Sequence, residues 1–368
     1  MLLPMPSFPG PRAWLQAAAL LLAGCHPAPS EPPHAPEPRA AGPARCAANR
    51  AAGPITFLTS AVFLPTTGIL DVVAAQRLGY FDALCLDVRI RPGGSNAQLV
   101  SAGTAQIAGL GDAASALLAM DRGANLTGIA TYGNISAVEL VALRDAPEGS
   151  APIRQLADLK GRIVGYKVAV APQVIAMLIR AGVSPDAVKF VSVPFNPEIL
   201  AKGQVAAMIG YASNEPRALE AGGYALSEWN PERFGVHSTF NVLVANRDFA
   251  AAHPQAVADF LRASLRALAW VRASDAHLDT ALGFERDRSP AGFDLARARA
   301  RWRYEEQMIA ASQPAGSVPG ENVPAGWQAD ARLLADARLT HGPAPARPFD
   351  NRFIQAIYKG TQLLWPAP

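Results

Sequence analysis

The chain has 368 residues, half of them apolar, so it can bury a sizeable core and, at ordinary domain sizes, build about two domains. Its formal charge of +3 is too small to mark a nucleic-acid partner. The arginines that cluster in "ARARARWRY", residues 296–304, follow an i, i+2 spacing that spreads them around a helix, and they are expected to form a solvated face.

At the N-terminus, Arg12 precedes the apolar stretch "AWLQAAALLLAGC", far short of the ~20 residues a membrane span needs and ending on small residues, as an export signal does. Leu22-Ala23-Gly24-Cys25 resembles the lipobox of bacterial lipoproteins, which implies a signal peptide over residues 1–24 and a lipid on Cys25. His26, where an aspartate would signal retention in the inner membrane, points to the outer membrane. Residues 25–53 are dense in proline and alanine without apolar periodicity, and are expected to form an extended tether of ~3 Å per residue where it is polyproline-like. Cys46 and Cys85 are the other two cysteines; in an exported chain they either form one bridge or remain two thiols.

From Ile55 onward, short buried strands alternate with helices. "ITFLTSAVF", "LDVRIRP", "AQIAGLG", "LTGIATY", "RIVGY", "KFVSVPF" and "VAAMIGY" read as strands; "ILDVVAAQRLGYF", "SNAQLVSAG", "APQVIAMLIRAG" and "PEILAKG" read as helices. This grammar predicts an α/β fold of mostly parallel sheets flanked by helices. After "STFNVLVAN" the pattern becomes helical, with helices expected over 253–273, 294–312, 324–339 and 349–364.

In open α/β sheets ligands bind beyond the carboxyl ends of the strands. The residues there are aromatic and amidic: Phe63 with Thr66, then Gly94, Ser95 and Asn96, then Asp112, Tyr132, Asn134, Tyr166, Phe195, Asn196, Tyr211, Asn214 and Glu215. Aromatic faces at such positions could hold a flat ring, each adding ~1 kcal/mol beyond its buried area. Within "GYASNEPRALEAGGY", Glu215 has two chemically sound roles. It could accept hydrogen bonds from a ligand's N–H donors, with Asn214 beside it. It could equally open a helix, with Asn214 as N-cap and Pro216 in the first turn.

"GYFDALCLDVRIRPGGSNAQLVSAGTAQIAGLGDAASALLAMDRGANLTGIAT" resembles the first lobe of the NMT1/THI5-like and sulfonate- or taurine-type periplasmic binding proteins. "LADLKGRIVGYK" is similar to that family's passage into its second lobe, and "YASNEPRALEAGGY" with "FGVHSTFNVLVANRDFAAAHPQAVADFLRA" resembles a branch that includes riboflavin- and thiamine-precursor-binding proteins. The resemblance implies a two-lobe periplasmic-binding-protein fold of type II with a helical C-terminal extension. Residues 54–142 would begin lobe 1, 143–237 would form lobe 2, and 238–368 would return to lobe 1. It further implies a lipid-anchored periplasmic monomer that binds a small aromatic or heterocyclic metabolite, vitamin- or pyrimidine-precursor-like, and hands it to an ABC transporter permease. A different ligand, an alkanesulfonate-like anion at the N-terminus of the helix after Gly94, would suit the same fold. So would two different roles: an enzyme acting on a pyrimidine-like compound, or a sensor that feeds no transporter.

The cysteine run of the fungal pyrimidine synthases in this family is missing, which speaks against synthase chemistry. "GLGDAA" nearly matches a dinucleotide fingerprint, but it follows the third strand and lacks the acidic ribose ligand. No G-x-S-x-G elbow or H-E-x-x-H motif occurs, so neither a cofactor nor a metal is expected.

Overall fold

The computed structural model describes residues 40–59, 65–147, 151–167, 169–286 and 293–365; the expected signal peptide, Cys25 and Phe63 lie outside them. Where the sequence suggested a tether as far as residue 53, the structure has a helix, α1 (Pro43–Ala51). Proline occupies its first turn, and Cys46 and Asn49, three residues apart, share its buried face. Cys46 is bonded to Cys85 with a Cα separation of 5.1 Å. Asn49 donates to the Leu84 carbonyl at 2.7 Å and to Asp259 at 2.8 Å, while Arg45 reaches both Asp259 oxygens at 2.9 and 3.0 Å. Docking of a few residues, with no long apolar stripe to announce it, makes this helix.

The first lobe then runs β1 (Ile55–Leu58), α2 (Leu70–Arg77), α3 (Tyr80–Ala83), β2 (Val88–Arg91), α4 (Asn96–Ser101), β3 (Ile107–Leu110), α5 (Ala113–Asp121) and β4 (Leu126–Gly133). After four residues the chain enters β5 (Val138–Leu143) and continues through β6 (Ile163–Tyr166), α6 (Pro172–Arg180), β7 (Lys189–Ser192), α7 (Glu198–Ala201), β8 (Ala207–Tyr211), α8 (Glu215–Ala221) and β9 (Leu226–Trp229). It returns as β10 (Phe240–Asn246) and ends in α9 (Arg247–Ala252), α10 (Pro254–Arg272), α11 (Asp275–Arg286), α12 (Leu295–Ser312), α13 (Pro324–Asp336) and α14 (Arg352–Gln355).

Two five-stranded sheets result, ordered β2-β1-β3-β10-β4 and β7-β6-β8-β5-β9. Their order is the same: three parallel strands, then the strand entered by crossing from the other lobe, running antiparallel, then an edge strand. The sheets are therefore mixed, and half their pairings are antiparallel. The lobe boundary also moves. β5 pairs with β8 and β9, so the first crossing falls at residues 134–137 and not at 142–143. "VELVAL" is buried at every position, and periodicity cannot tell which of two adjacent sheets such a strand joins.

In lobe 1, α10 fills the core with Phe260, which stacks on Phe81 at 5.3 Å and tilts against Phe57 at 5.7 Å. The C-terminal helices pack on both crossings. The Ser312 hydroxyl accepts from the Asn134 N–H at 3.0 Å, and Asp330 in α13 accepts from Thr239 N–H at 3.0 Å and from the Ser238 hydroxyl at 2.7 Å. Trp327 packs against Gly128, where a Cβ would stand 2.4 Å from the ring. The helix expected over 349–364 is instead the four-residue α14 and a hairpin, β11 (Tyr358–Lys359) and β12 (Gln362–Leu363), turned by Gly360 at φ 59°.

Candidate ligand-binding cleft

The carboxyl ends of β1, β3, β6 and β8 bring the two lobes face to face. Tyr211, the last residue of β8, carries its hydroxyl to Gly111 of lobe 1, where an added Cβ would lie 2.9 Å from it. Glycine leaves room for that approach without a shift of the tyrosine. Burial, and then the charges of Asp112 and Glu215, push the Tyr211 phenol well above its ordinary range, so it remains a donor.

Glu215 opens α8 with Pro216 behind it and is 1% exposed. Its carboxylate is met within lobe 2: Oε2 accepts from the Tyr211 N–H at 2.8 Å, Oε1 accepts from Asn214 at 2.7 Å, and Lys167 forms an ion pair with it. Asn214 therefore does not cap the helix through its own side chain; it serves the carboxylate. The Lys167 ammonium also lies over the Phe195 ring, 5.6 Å from its centre. Lys167 directly follows Tyr166 at the end of β6 and was legible there as a strand-end residue, although it was not among the expected site residues.

Several other expected residues are engaged within the protein. Tyr132 is 2% exposed in the lobe 1 core, donating to Asp71 at 2.9 Å, and burial pushes the Asp71 carboxyl up to about 6. Asn96 spends its amide on the Thr59 and Gly109 carbonyls at 2.8 and 2.9 Å and accepts from the Gly94 N–H at 3.0 Å. Asn196 accepts from the Glu198 N–H at 3.0 Å, at the start of α7. Asn134 is part of the first crossing. Gly94, Ser95 and Phe195 are exposed, and Tyr166 is half-buried.

Asp112 caps α5, accepting from Ser115 N–H at 2.7 Å, and its other oxygen takes a hydrogen bond from Gln173 of lobe 2 at 2.8 Å. Gln173 also donates to the Ser238 hydroxyl at 3.0 Å. Behind them Asp330 is fully buried, and burial with the charge of Asp112 pushes its carboxyl up to about 7.

The arginine-rich stretch corrects the expectation of a solvated face. Ala298, Arg301, Trp302, Glu305 and Ile309 recur at helical spacing on the buried side of α12, while Arg299 and Arg303 turn outward to Asp279 and Asp275. Glu305 is 1% exposed and bridges the lobes, accepting from Thr66 of lobe 1 at 2.6 Å and from Ser213 of lobe 2 at 3.1 Å. Thr66 in turn accepts from Asn241 at 2.7 Å, so its hydroxyl is a support for Glu305. Burial pushes the Glu305 carboxyl up, against the pull of Arg301. The signal for these two residues was the 3.6-residue period running through Trp302, which an arginine count hides.

Two cavities of about 240 and 470 Å³ lie elsewhere, beside Arg162 and Ile163 at the start of β6 and beside Thr127 and Arg247 at the start of β4. Among the described residues no group of three or more His, Cys, Asp and Glu could hold a metal ion, and no helix is long and apolar enough to cross a membrane.

Two mixed sheets exchanging one strand each, with ionisable and aromatic side chains at their facing ends, define a two-lobe periplasmic-binding-protein fold of type II. A family model described as NMT1/THI5 like matches residues 66–276, more than half of the chain, and the protein belongs to that family. Among solved structures it is similar to the alkanesulfonate-binding protein SsuA of Xanthomonas axonopodis pv. citri bound to MOPS, at 18% identity and a TM-score of 0.58 over 79% of this chain and 95% of that one. The periplasmic aliphatic sulphonate binding protein SsuA of Escherichia coli gives 16% identity and a TM-score of 0.57 over 82% and 99%. The desulfurization enzyme DSZB shares the fold at 14% identity and a TM-score of 0.54 over 82% and 97%. No curated relative matches the chain.

Proposed function

We propose that this protein is the substrate-binding component of an ABC importer, a periplasmic monomer held by a lipid on Cys25 at the outer membrane, taking a small aromatic or heterocyclic metabolite between its lobes. One observation carries the reading: the Lys167–Glu215 pair and the Phe195 ring meet at the carboxyl ends of the lobe 2 strands, and Tyr211, bonded through its N–H to Glu215, carries its hydroxyl to Gly111 of lobe 1. A flat ring against Phe195 would place its polar edge at the ammonium and the phenol. The relatives that bind sulfonates favour an anionic ligand as the second reading. The helix after Gly94 supports it poorly, because Gly94 N–H is already bonded to Asn96. Against an enzyme, the cysteines at 46 and 85 offer no free thiol, since they are joined to each other. A permease gene beside this one would separate transport from sensing.

The test is native mass spectrometry of the protein purified from the periplasm, followed by calorimetry with the released molecule on Glu215→Gln. A small ring compound should come off unchanged. Loss of charge support around Lys167 should weaken its binding by about 1.5–3 kcal/mol, one to two decades. Chemical turnover of the compound would overturn the binding-protein reading; an unchanged Kd would confine Glu215 to holding α8 and Lys167 in place.

A further inference from the structure

Helix α12 brings to the cleft a cation whose donors are not accounted for. Arg301 is 9% exposed, and its Nε donates to Glu305 Oε1 at 3.3 Å. Its two terminal nitrogens have no partner among the described residues. Glu305 offsets the charge without meeting those donors, because Oε2 is held by Thr66 at 2.6 Å and Oε1 is shared between Arg301 Nε and Ser213. A guanidinium stays charged at every physiological pH and carries five N–H donors in a fixed fork; the four on the terminal nitrogens reach solvent at the cleft and are open to an acceptor. The surroundings place this fork at the interlobe site: Thr66 belongs to lobe 1, Ser213 to lobe 2, and Arg301's charge acts on the Tyr211 phenol.

We propose that Arg301 is a specificity-determining residue of the cleft and that its terminal nitrogens hold an oxyanion of the ligand, a carboxylate or sulfonate, in a two-pronged hydrogen bond. The proposal rests on the cleft being a ligand site. Lys167 does not compete for the anion, since Glu215 already neutralises it within lobe 2. The ligand is then a ring or chain with an acidic group, its body toward Phe195 and its anion toward α12. Because Glu305 beside Arg301 touches both lobes, the anion would be gripped at the point where the lobes meet.

Matched acids and amides test this on the whole mature protein, with thermal melting and calorimetry as readouts: benzoate against benzamide, benzenesulfonate against benzenesulfonamide, and uracil as a neutral heterocycle. The acids should bind about ten- to hundredfold more tightly than their amides. Arg301→Lys, which keeps the charge and loses the fork, should shrink that preference, and Arg301→Gln should abolish it. Arg299→Gln, two residues away on the exposed side, should leave it intact. Equal binding of acids and amides by the wild type, or a preference that survives Arg301→Gln, overturns the proposal. If uracil binds and no acid does, the cleft is a ligand site and the oxyanion subsite is wrong. If none of the five binds and the protein leaves the periplasm without a small molecule, the ligand-site reading itself falls, and this proposal with it.

Discussion

Breaking the Cys46–Cys85 bridge perturbs the fold at one point and tests how α1 is held. The bridge closes 39 residues, a loop that takes in β1, α2 and α3, and the chain-entropy relation assigns such a loop about 4 kcal/mol at 25 °C. Most of that acts on the unfolded chain, so α1 should remain docked in the reduced protein, where Arg45 and Asn49 still hold Asp259. The assay is guanidinium unfolding of oxidised and reduced wild type. Reduction should lower the midpoint by the equivalent of about 4 kcal/mol, and it should raise the m value, because the unlinked unfolded chain exposes more surface. Cys85 adds an internal control. Its backbone is left-handed, with φ 59°, a conformation that costs a non-glycine residue about 1–2 kcal/mol, so Cys85→Gly should lose less than Cys46→Ala although both remove the same bridge. A loss under about 1 kcal/mol with an unchanged m value would refute the argument that the bridge works through the unfolded state.

Three further outcomes are expected. Lys167→Met leaves the Glu215 carboxylate 1% exposed without its counter-charge and should cost about 3–5 kcal/mol; Lys167→Met with Glu215→Gln should recover part of that in a denaturant double-mutant cycle, and strictly additive losses would contradict the pairing. Gly128→Ala drives a methyl group into the Trp327 ring and should cost at least about 1–3 kcal/mol in thermal or urea unfolding, with tryptophan fluorescence shifted in the folded state. For Asp330 the folded carboxyl sits at about 7, above its unfolded value of 3.8, so the folded state holds a proton that the unfolded state has lost between those limits. Stability should therefore fall as pH rises from about 4 to 7, and Asp330→Asn should flatten that slope; an equal slope in both proteins would assign the pH dependence elsewhere.

What the sequence made legible follows from which signals are local. Strands such as "RIVGY" and "VAAMIGY" carry their own apolar runs, and the residues at their ends, Tyr166, Lys167 and Tyr211, could be placed before any sheet was known. The destination of β5 could not, because a strand buried on both faces fits either sheet and only register with β8 decides. For α1 the stabilising partners lie 35 to 214 residues away, at Leu84, Cys85 and Asp259, so a Pro- and Ala-rich segment looked like a tether. The site was half visible for the same reason. On its lobe 2 side Tyr211 to Glu215 are contiguous in sequence and Lys167 and Phe195 follow earlier strands, whereas Arg301 and Glu305 arrive from a helix some ninety residues on, 92 in the case of the Ser213 contact. Asn96 and Tyr132 have the right chemistry at the right strand ends, yet carbonyls and Asp71 claim them first.

The same contacts indicate which bonds an opening of the lobes would have to break. α12 moves with lobe 1: Glu305 is bonded to Thr66 and Glu306 to Thr67 at 3.0 Å, and Glu306 is also paired with Arg272 of α10. Among the described residues, the bonds that reach from this body to lobe 2 include Ser213 to Glu305 at 3.1 Å, Gln173 to Asp112 at 2.8 Å and the exposed Arg180 to Asp336 pair at 3.0 Å, together with the Arg217 guanidinium over the Tyr304 ring and the packing of Tyr211 on Gly111. At about 0.5–1.5 kcal/mol net for a typical hydrogen bond, and up to about 3 where a carboxylate accepts, such a set costs only a few kcal/mol to release. That is within reach of what one small ligand supplies when it binds the closed form and not the open one. One apolar cluster takes in Val174 and Met177 of α6 with Leu333 and Leu334 of α13 and holds the lobes together near the crossings. An opening that keeps it has only the hydroxyl, amide and carboxylate groups at the cleft to release, bonds that water can replace and whose closure the occupant of the cleft can decide.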